Sequence, residues 1–455
     1  MGEAMITRRG GGGMQIDGLL DEYVVSSGSI SAGDFVKWVL TMRTLNSNMG
    51  RTAGDGKYTV AKIDDSRVVV GYVYAASSAM SANKYYYVCV ITFTATSATT
   101  GTPTQISSST ISITNSAGGY NPMDYVDIYP IGNNQFRIFS PTPNRGQAWL
   151  EGKFTVNDNN LITINQTLAY SALLRPSDAP TMRVFQLAQE LFATAYGTSS
   201  GNLIVTVYIY NGDTITSKNG GAYTDATIAG SHVLGFAKMG SEQYACIIND
   251  NTDLKMIYFS IGDTSIAIIR ISRLDTKPDG LALGQLPDGR YLIPCYASVA
   301  SSVQYYPGVL LLTETSGYLA KGAITQVGTT TVNTVNQTWR RAIANLPGGR
   351  VIVFRQSSYV GGYKMYYDLL MINGDVITVM DANADTGVSM NVQQLASSIV
   401  GVNDRVIMLI EPTRYYMGLL NICDDITKCT SGEEVAGLAA EDGTAGSSVS
   451  VYHPA

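Results

Sequence analysis

Residues 346–380 read LPGGRVIVFRQSSYVGGYKMYYDLLMINGDVITVM. The tight turn Gly348-Gly349-Arg350 is followed by an apolar run, residues 351–354. A second run ends at Asn373-Gly374-Asp375, and a third starts at Val376. Gly and Asn tolerate positive φ, so such pairs join antiparallel strands through short turns. The stretch predicts an antiparallel sheet in which a turn precedes the second strand and another closes the third.

The same grammar recurs along the chain. Asp65-Ser66-Arg67, Asn133-Asn134-Gln135, Ala188-Gln189-Glu190, Ser241-Glu242-Gln243, Asp288-Gly289-Arg290 and Asn403-Asp404-Arg405 each precede an apolar run. Third strands are expected to end at Asn157-Asp158-Asn159-Asn160, Asn211-Gly212-Asp213, Ile261-Gly262-Asp263, Thr315-Ser316-Gly317 and Cys423-Asp424-Asp425. The residues just before the second strands are 67, 135, 190, 243, 290, 350 and 405, spaced 68, 55, 53, 47, 60 and 55 apart. Four short strands per unit at this period predict an all-β fold, a seven-bladed β-propeller over residues 56–429. One four-stranded sheet cannot bury both faces alone. Radial stacking buries them, and ring closure leaves few open edges.

Composition points the same way. Charged residues are 15% of the chain, against the ~25% usual in globular proteins. Gly (46) and Tyr (29) are abundant, so polarity comes from hydroxyls and amides rather than charge. The net charge of −6 and the lack of a Lys/Arg block argue against nucleic acid as a partner. No apolar run approaches the ~18 residues of a membrane span, so no membrane insertion is expected. Two histidines, His232 and His453, leave little for metal ligation or neutral-pH acid–base work, and no cofactor or metal is expected. Five cysteines, most in apolar runs, read as structural thiols.

Residues 1–21 read as a flexible Gly-rich arm. Residues 22–50 and 430–455 each carry strand-like pieces too short to bury a face alone. A closed ring brings the two ends of the chain together, so they are expected to pair into one small β-module, two short N-terminal strands around Gly33-Asp34 included. Its residues are Asp34, Phe35, Val36, Trp38, Gly437, Leu438, Val449, Val451 and Tyr452. The N-terminal SGSISAGDFVKWV carries Gly33, Asp34, Phe35 and Val36. The C-terminal GLAAEDGTAGSSVSVYHP carries Gly437, Leu438, Ala439, Gly443, Ala445, Gly446, Val449, Val451, Tyr452 and Pro454. These segments resemble the paired terminal segments of bacteriophage and prophage virion proteins, including tail-tip, tail-fibre and head-fibre appendages. The resemblance covers only the chain ends. It implies a non-enzymatic structural protein on the particle surface, made in the bacterial host cytoplasm and anchored to other virion proteins. It leaves room for a homo-oligomer through the terminal module and for recognition of a host-surface glycan or protein.

The search for chemistry is thin. Gly197-Thr198-Ser199-Ser200-Gly201 matches GxSxG but is followed by a strand rather than the helix that a nucleophile elbow needs. Residues 381–387 resemble a calcium loop, yet Thr386 stands where Gly belongs and Val392 where the bidentate Glu belongs; a solvated inter-blade loop is expected. Asp124, Asp127, Glu190 and Asp404 are available carboxylates with no motif to collect them for glycoside chemistry. The alternatives are a polysaccharide-degrading propeller (glycosidase or lyase) and a cellular propeller lectin or scaffold. The clearest surface candidate is aromatic: Tyr85-Tyr86-Tyr87, Tyr305-Tyr306, Tyr366-Tyr367 and Tyr415-Tyr416, each expected at the start of a third strand, with Lys84, Lys364 and Arg414 accompanying three of them. In an antiparallel blade the second-to-third connections all lie at one disc face, so these tyrosines are expected there. Tyr presents a flat apolar ring and a hydroxyl at low entropic cost, which suits a sugar or protein contact. Alternation along a strand also requires one Tyr of each pair to pack into the blade.

Overall fold

The structure, a computed structural model, describes residues 20–51, 58–75, 84–107, 126–140, 148–174, 184–197, 202–212, 214–219, 223–224, 232–249, 253–263, 265–279, 282–301, 304–329, 332–333, 341–359, 362–390, 399–402, 405–413, 416–430, 437–440 and 442–452. These residues contain no helix and form a seven-bladed β-propeller. Blade one runs from its innermost strand outward through Tyr58–Lys62, Arg67–Ala75, Lys84–Phe93 and Ala98–Thr100. Blades two to six repeat this order; blade six is Ala342–Leu346, Arg350–Tyr359, Gly362–Asn373 and Val376–Met390. All seven second strands start at or next to the residues that the turn grammar marks.

The blades stack because each is apolar on both faces, the pattern of a sheet covered on two sides. Val68, Val70 and Tyr72 pack toward blades six and seven, while Val69 and Val73 pack toward blade two. Gly71 sits on the blade-two side, where an added Cβ would lie 2.6 Å from Ile128 Cδ1. Glycine is needed there because the neighbouring sheet comes so close. Innermost strands of blades six, seven and one contact one another in turn, which closes the ring.

The closure differs from the expected domain division. Blade seven takes three strands from its own stretch, Ile399–Val402, Arg405–Thr413 and Tyr416–Lys428. Its fourth strand is Phe35–Arg51, 17 residues paired antiparallel with Tyr416–Lys428. Much of the segment 22–50, expected in the terminal module, therefore belongs to the propeller. The third strand also runs through Cys423-Asp424-Asp425, where a turn was expected. Arg43 donates to Asp425 Oδ1 at 2.9 Å, and Arg350 donates to Asp424 Oδ1 at 2.8 Å, so both carboxylates are satisfied inside the strand.

Beyond Phe35 the same sheet continues through Gly437–Ala439 and Ser448–Tyr452 to Leu20–Val24, so segments from both terminal regions lie in it. Ser29–Ile30 pairs with Gly443–Thr444 beside it. Val25, Ile30, Val36, Ile426, Ala439, Val449 and Val451 form a small separate core.

A recurring arginine ties blades together. Arg67 donates to the carbonyls of Asn157 and Asp158 and to Asn160 Oδ1, on the third-to-fourth turn of blade two. Arg290 reaches Gly374 and Asp375 of blade six, and Arg350 reaches Asp424 of blade seven. Each stands at the start of a second strand and clasps the end of the next blade's third strand.

Candidate functional site

Strand direction gives the disc two distinct faces. The first-to-second and third-to-fourth turns share one face, here the turn face. The second-to-third connections and the starts of the innermost strands share the other, the mouth face.

At the mouth face the first residues of the innermost strands surround a cavity of about 300 Å³. Every blade contributes to it: Thr59, Asp127, Gln186, Phe236, Leu283, Arg341 and Ile399 are examples. It is the upper part of the central channel. Close approach is again built with glycine. A Cβ on Gly284 would lie 2.5 Å from Ile343 Cγ2, and one on Gly235 would lie 3.0 Å from Leu283 Cδ2.

Two charged residues on this wall are almost wholly buried, Asp127 (2% exposed) and Arg341 (1%). Arg341 belongs to a larger network between blades five and six. Its Nη2 donates to Asp279 Oδ1 at 2.8 Å. Arg355 pairs with both Asp279 Oδ2 and Asp368 Oδ2. Burial by itself would raise the Asp279 pKa, but Arg341 and Arg355 outweigh it and hold the carboxyl below the usual carboxylate range. Burial likewise opposes the charge on Arg355, and Asp368 and Asp279 reverse that effect and raise its pKa. Such networks are weak contributors to stability, because desolvation offsets attraction. Tyr296 lies against the same network; burial first, then the Asp279 charge, raises its pKa.

The sequence-chosen tyrosines divide. Tyr85 is half-buried, while Tyr86 is fully buried, its hydroxyl 2.8 Å from Ser140 Oγ. Tyr87 stacks near Tyr72 at 5.9 Å and meets Tyr74 edge-on at 5.8 Å. Tyr305 and Tyr306 are both half-buried. The Lys277 ammonium lies 4.7 Å from the Tyr305 ring centroid, and the Tyr296 ring is 4.8 Å away. Tyr366 and Tyr367 stand in the middle of Gly362–Asn373 rather than at its start. The Tyr367 hydroxyl donates to Asp381 at 3.2 Å; burial and that carboxylate push its pKa up to about 12. Tyr416 opens its strand, and Lys364 pairs with Ser357 in blade six. Arg414 and Tyr415 lie outside the described residues. Blades five, six, seven and one, which carry these residues, are consecutive around the ring.

The other candidates separate. Glu190 is at the turn face, bound by Arg137 at 2.8 Å, and so does not converge with Asp127; Asp124 and Asp404 lie outside the described residues. Residues 381–387 are not an inter-blade loop. They belong to the outer strand Val376–Met390 of blade six, whose register shifts where it pairs with Gly362–Asn373. Asp381 accepts from the Ala382 amide and Asp385 from the Gly387 amide. Among the described residues no group of three or more acidic, His or Cys side chains is placed to hold a metal ion. Residues 198–201 of the GxSxG segment lie outside the described residues.

The terminal module lies at the opposite face. Tyr416–Lys428 starts at the mouth face and ends at the turn face, and Lys428 pairs with Val36. Gly33 takes a φ of +88° in the expected turn, which Asp34 braces by accepting from the Ser31 amide at 2.8 Å. Hydrogen bonds from Lys428 and Ser31 outweigh a small burial effect and lower the Asp34 pKa. Val36, Val449 and Val451 are buried, whereas Phe35 is 55% exposed and Trp38 36%. Tyr23 packs edge-on against Trp38 at 4.6 Å. Gly437 and Leu438 pair with Val36 and Phe35, and Tyr452 pairs with Leu20 and Leu438.

No protein-family model and no curated protein matches the chain. Several solved structures are similar in fold. One is a structural-genomics protein from Lactobacillus plantarum, 12% identical, TM-score 0.43, covering 80% of this chain and 99% of that one. Another is a periplasmic gluconolactonase from Pseudomonas aeruginosa, 11% identical, TM-score 0.43, covering 84% and 99%. A third is the polysaccharide lyase Uly1, 10% identical, TM-score 0.42, covering 81% and 90%. The protein is thus defined by its fold, a seven-bladed β-propeller whose last blade is completed by its N-terminal region.

Proposed function

We propose that this protein is a surface appendage of a phage-type virion, held to the particle through its terminal module and presenting the mouth face outward. One observation carries the reading. The module formed by the terminal segments lies at the turn face, and the channel mouth occupies the opposite face. A disc fixed by one face leaves the other free for a host-surface glycan or protein. The terminal segments' resemblance to virion proteins supports the same assignment. Exposed Phe35 gives the module an apolar point of attachment.

The test is fractionation of lysates from cells producing the particle. The protein is expected to sediment with intact particles and to be labelled on their surface by antibody in electron microscopy. Phe35→Ser is expected to fold with an unchanged melting temperature yet lose most particle association. Protein that stays in the soluble fraction, with particles unlabelled, rules the assignment out.

A second reading is a polysaccharide-degrading propeller, favoured by the buried Asp127 and Arg341, which line the same cavity from blades two and six. It requires release of reducing ends or unsaturated products from cell-wall polysaccharide, abolished by Asp127→Asn.

A further inference from the structure

The turn face carries more than the terminal module, and we propose that it docks as a whole on a basic protein face of the particle. The inference rests on the appendage reading above and names the partner by its chemistry. Four of the outermost strands begin with an exposed apolar side chain. Tyr318, Val376 and Phe35 open theirs in blades five, six and seven, and Leu161 stands one residue before Ile162–Leu174 in blade two. The start of a fourth strand lies at the turn face and at the outer edge of its blade. Blades five, six and seven are consecutive, so three of these side chains form an arc that ends in the module. Single exposed apolar residues are ordinary. The same position filled this way in three consecutive blades, beside the module, marks a contact surface.

Charge identifies the occupant. The turns of this face hold out acids to solvent: Asp65, Asp158, Glu242, Asp263, Glu314 and Asp375 are all exposed. The Asp158 side chain is 96% exposed and that of Asp375 91%. The arginines of the same face point inward instead. Arg67, Arg290 and Arg350 clasp the next blade, and Arg137 donates to the Gly212 carbonyl and to Glu190 of blade three. None of these four side chains is more than 14% exposed. Outward lysines are fewer among the described residues. Lys62 and Lys428 pair with Asp65 and Asp34, and exposed Lys238 ends the first strand of blade four. The seams thus take up the guanidiniums and leave carboxylates facing water. A basic surface complements such a face and is steered to it, while the apolar side chains add contact once water is excluded. A second copy presenting the same face would set acid against acid, which disfavours that pairing.

The probe is the particle itself, purified from cells that lack this chain, and binding of the full chain is measured by co-sedimentation. Raising salt from about 0.1 M to about 1 M shortens the screening length from about 10 Å to about 3 Å and is expected to weaken binding about tenfold or more. Asp158→Lys combined with Asp375→Lys is expected to weaken low-salt binding about tenfold and to flatten its salt dependence. Leu161→Ser combined with Val376→Ser is expected to weaken binding about tenfold with the salt dependence unchanged. All four positions are exposed, so melting temperatures are expected to hold. The mouth-face control Arg273→Glu, at the far end of the blade-four outer strand, is expected to bind within about twofold. Binding indifferent to salt and to the acid pair overturns the basic partner, and binding indifferent to the apolar pair overturns the apolar contact. Either result leaves the appendage reading standing. Loss in Arg273→Glu with both turn-face pairs intact moves docking to the mouth face and overturns the proposal, as does self-association through these residues in place of particle binding. Failure of the unaltered chain to bind particles at low salt removes the appendage reading, and this proposal with it.

Discussion

Blades six and seven present similar apolar strands to their neighbours, yet they are completed in different ways. Blade six is continuous in the chain, its four strands joined in sequence from Ala342 to Met390. Blade seven waits for a strand that left the chain at its beginning. Arg43 meets Asp425 across 382 residues of sequence. Contacts so distant carry the full cost of loop closure before they contribute anything. The comparison separates two jobs. Local hairpins build blades, and one long-range strand exchange closes the ring.

The most severe way to break this contrast is to remove residues 1–51. Blade seven then loses its outer strand, and Asp425 loses Arg43. We expect loss of the whole folding free energy, on the order of 5 kcal/mol or more, read as loss of near-ultraviolet circular dichroism and of a monomeric elution peak. A separate peptide of residues 20–51 is expected to restore both signals. Thiol labelling sharpens the result. Burial pushes Cys89 and Cys295 up to about 12, and Cys246 and Cys423 are also buried. In the intact chain only the partly exposed Cys429 is expected to react quickly with an aromatic disulfide reagent. Without residues 1–51, Cys423 is expected to join it.

Next in size is Asp279→Ala, which takes a shared carboxylate from two buried guanidiniums, Arg341 and Arg355. About 3–5 kcal/mol should be lost in urea denaturation. Asp425→Ala, on the blade-seven seam, should cost less, about 1–3 kcal/mol, because the Arg43 side chain is 23% exposed and can hydrate. Equal losses would mean that the closure strand is as dry as the blade five–six seam. Gly284→Val should cost about 1–3 kcal/mol by forcing Ile343 away, with the melting temperature as readout.

Acid titration tests the same pair of seams. The Asp279 pKa is lowered on folding, so its contribution is fully present above the unfolded carboxylate value of about 3.9. That contribution is lost as pH falls through the lower folded value. Asp279→Asn should flatten the acid limb of the stability–pH curve. The smallest effect belongs to Asp34→Ala, at the exposed turn of the module. It should leave the melting temperature almost unchanged, while Asp279→Ala shifts it by many degrees.

The blade count was legible because turn chemistry is local. Asn133, Asn134 and Glu190 do take positive φ where the grammar placed tight turns. Two misreadings had local causes as well. Asp424 and Asp425 look like turn residues until Arg350 and Arg43 are seen to neutralise them within a strand. Residues 381–387 look like a loop because a strand that shifts register tolerates polar residues on its solvent side. The channel residues and the ion-pair network behind Arg341 were mostly missed. Asp127 was noticed only as an available carboxylate, and Asp279, Arg341, Arg355 and Asp368 share no spacing. One signal could have found some of them. In a chain with 15% charge, a charge inside an apolar run is rare, and Arg355 directly follows VIVF while Asp368 directly precedes LLMI. The clasping arginines were counted as repeat markers, although Arg67, Arg290 and Arg350 stand there because each reaches the next blade.

By itself the sequence determined most of the strands and turns, the number of blades and the alternation that makes both blade faces apolar. Those follow from short-range sterics and period-two patterning, which the chain writes out residue by residue. Only the tertiary structure decided which end completes the last blade, which carboxylate meets which guanidinium, and which side chains face the channel. These depend on contacts between residues tens to hundreds of positions apart, and no local pattern records them.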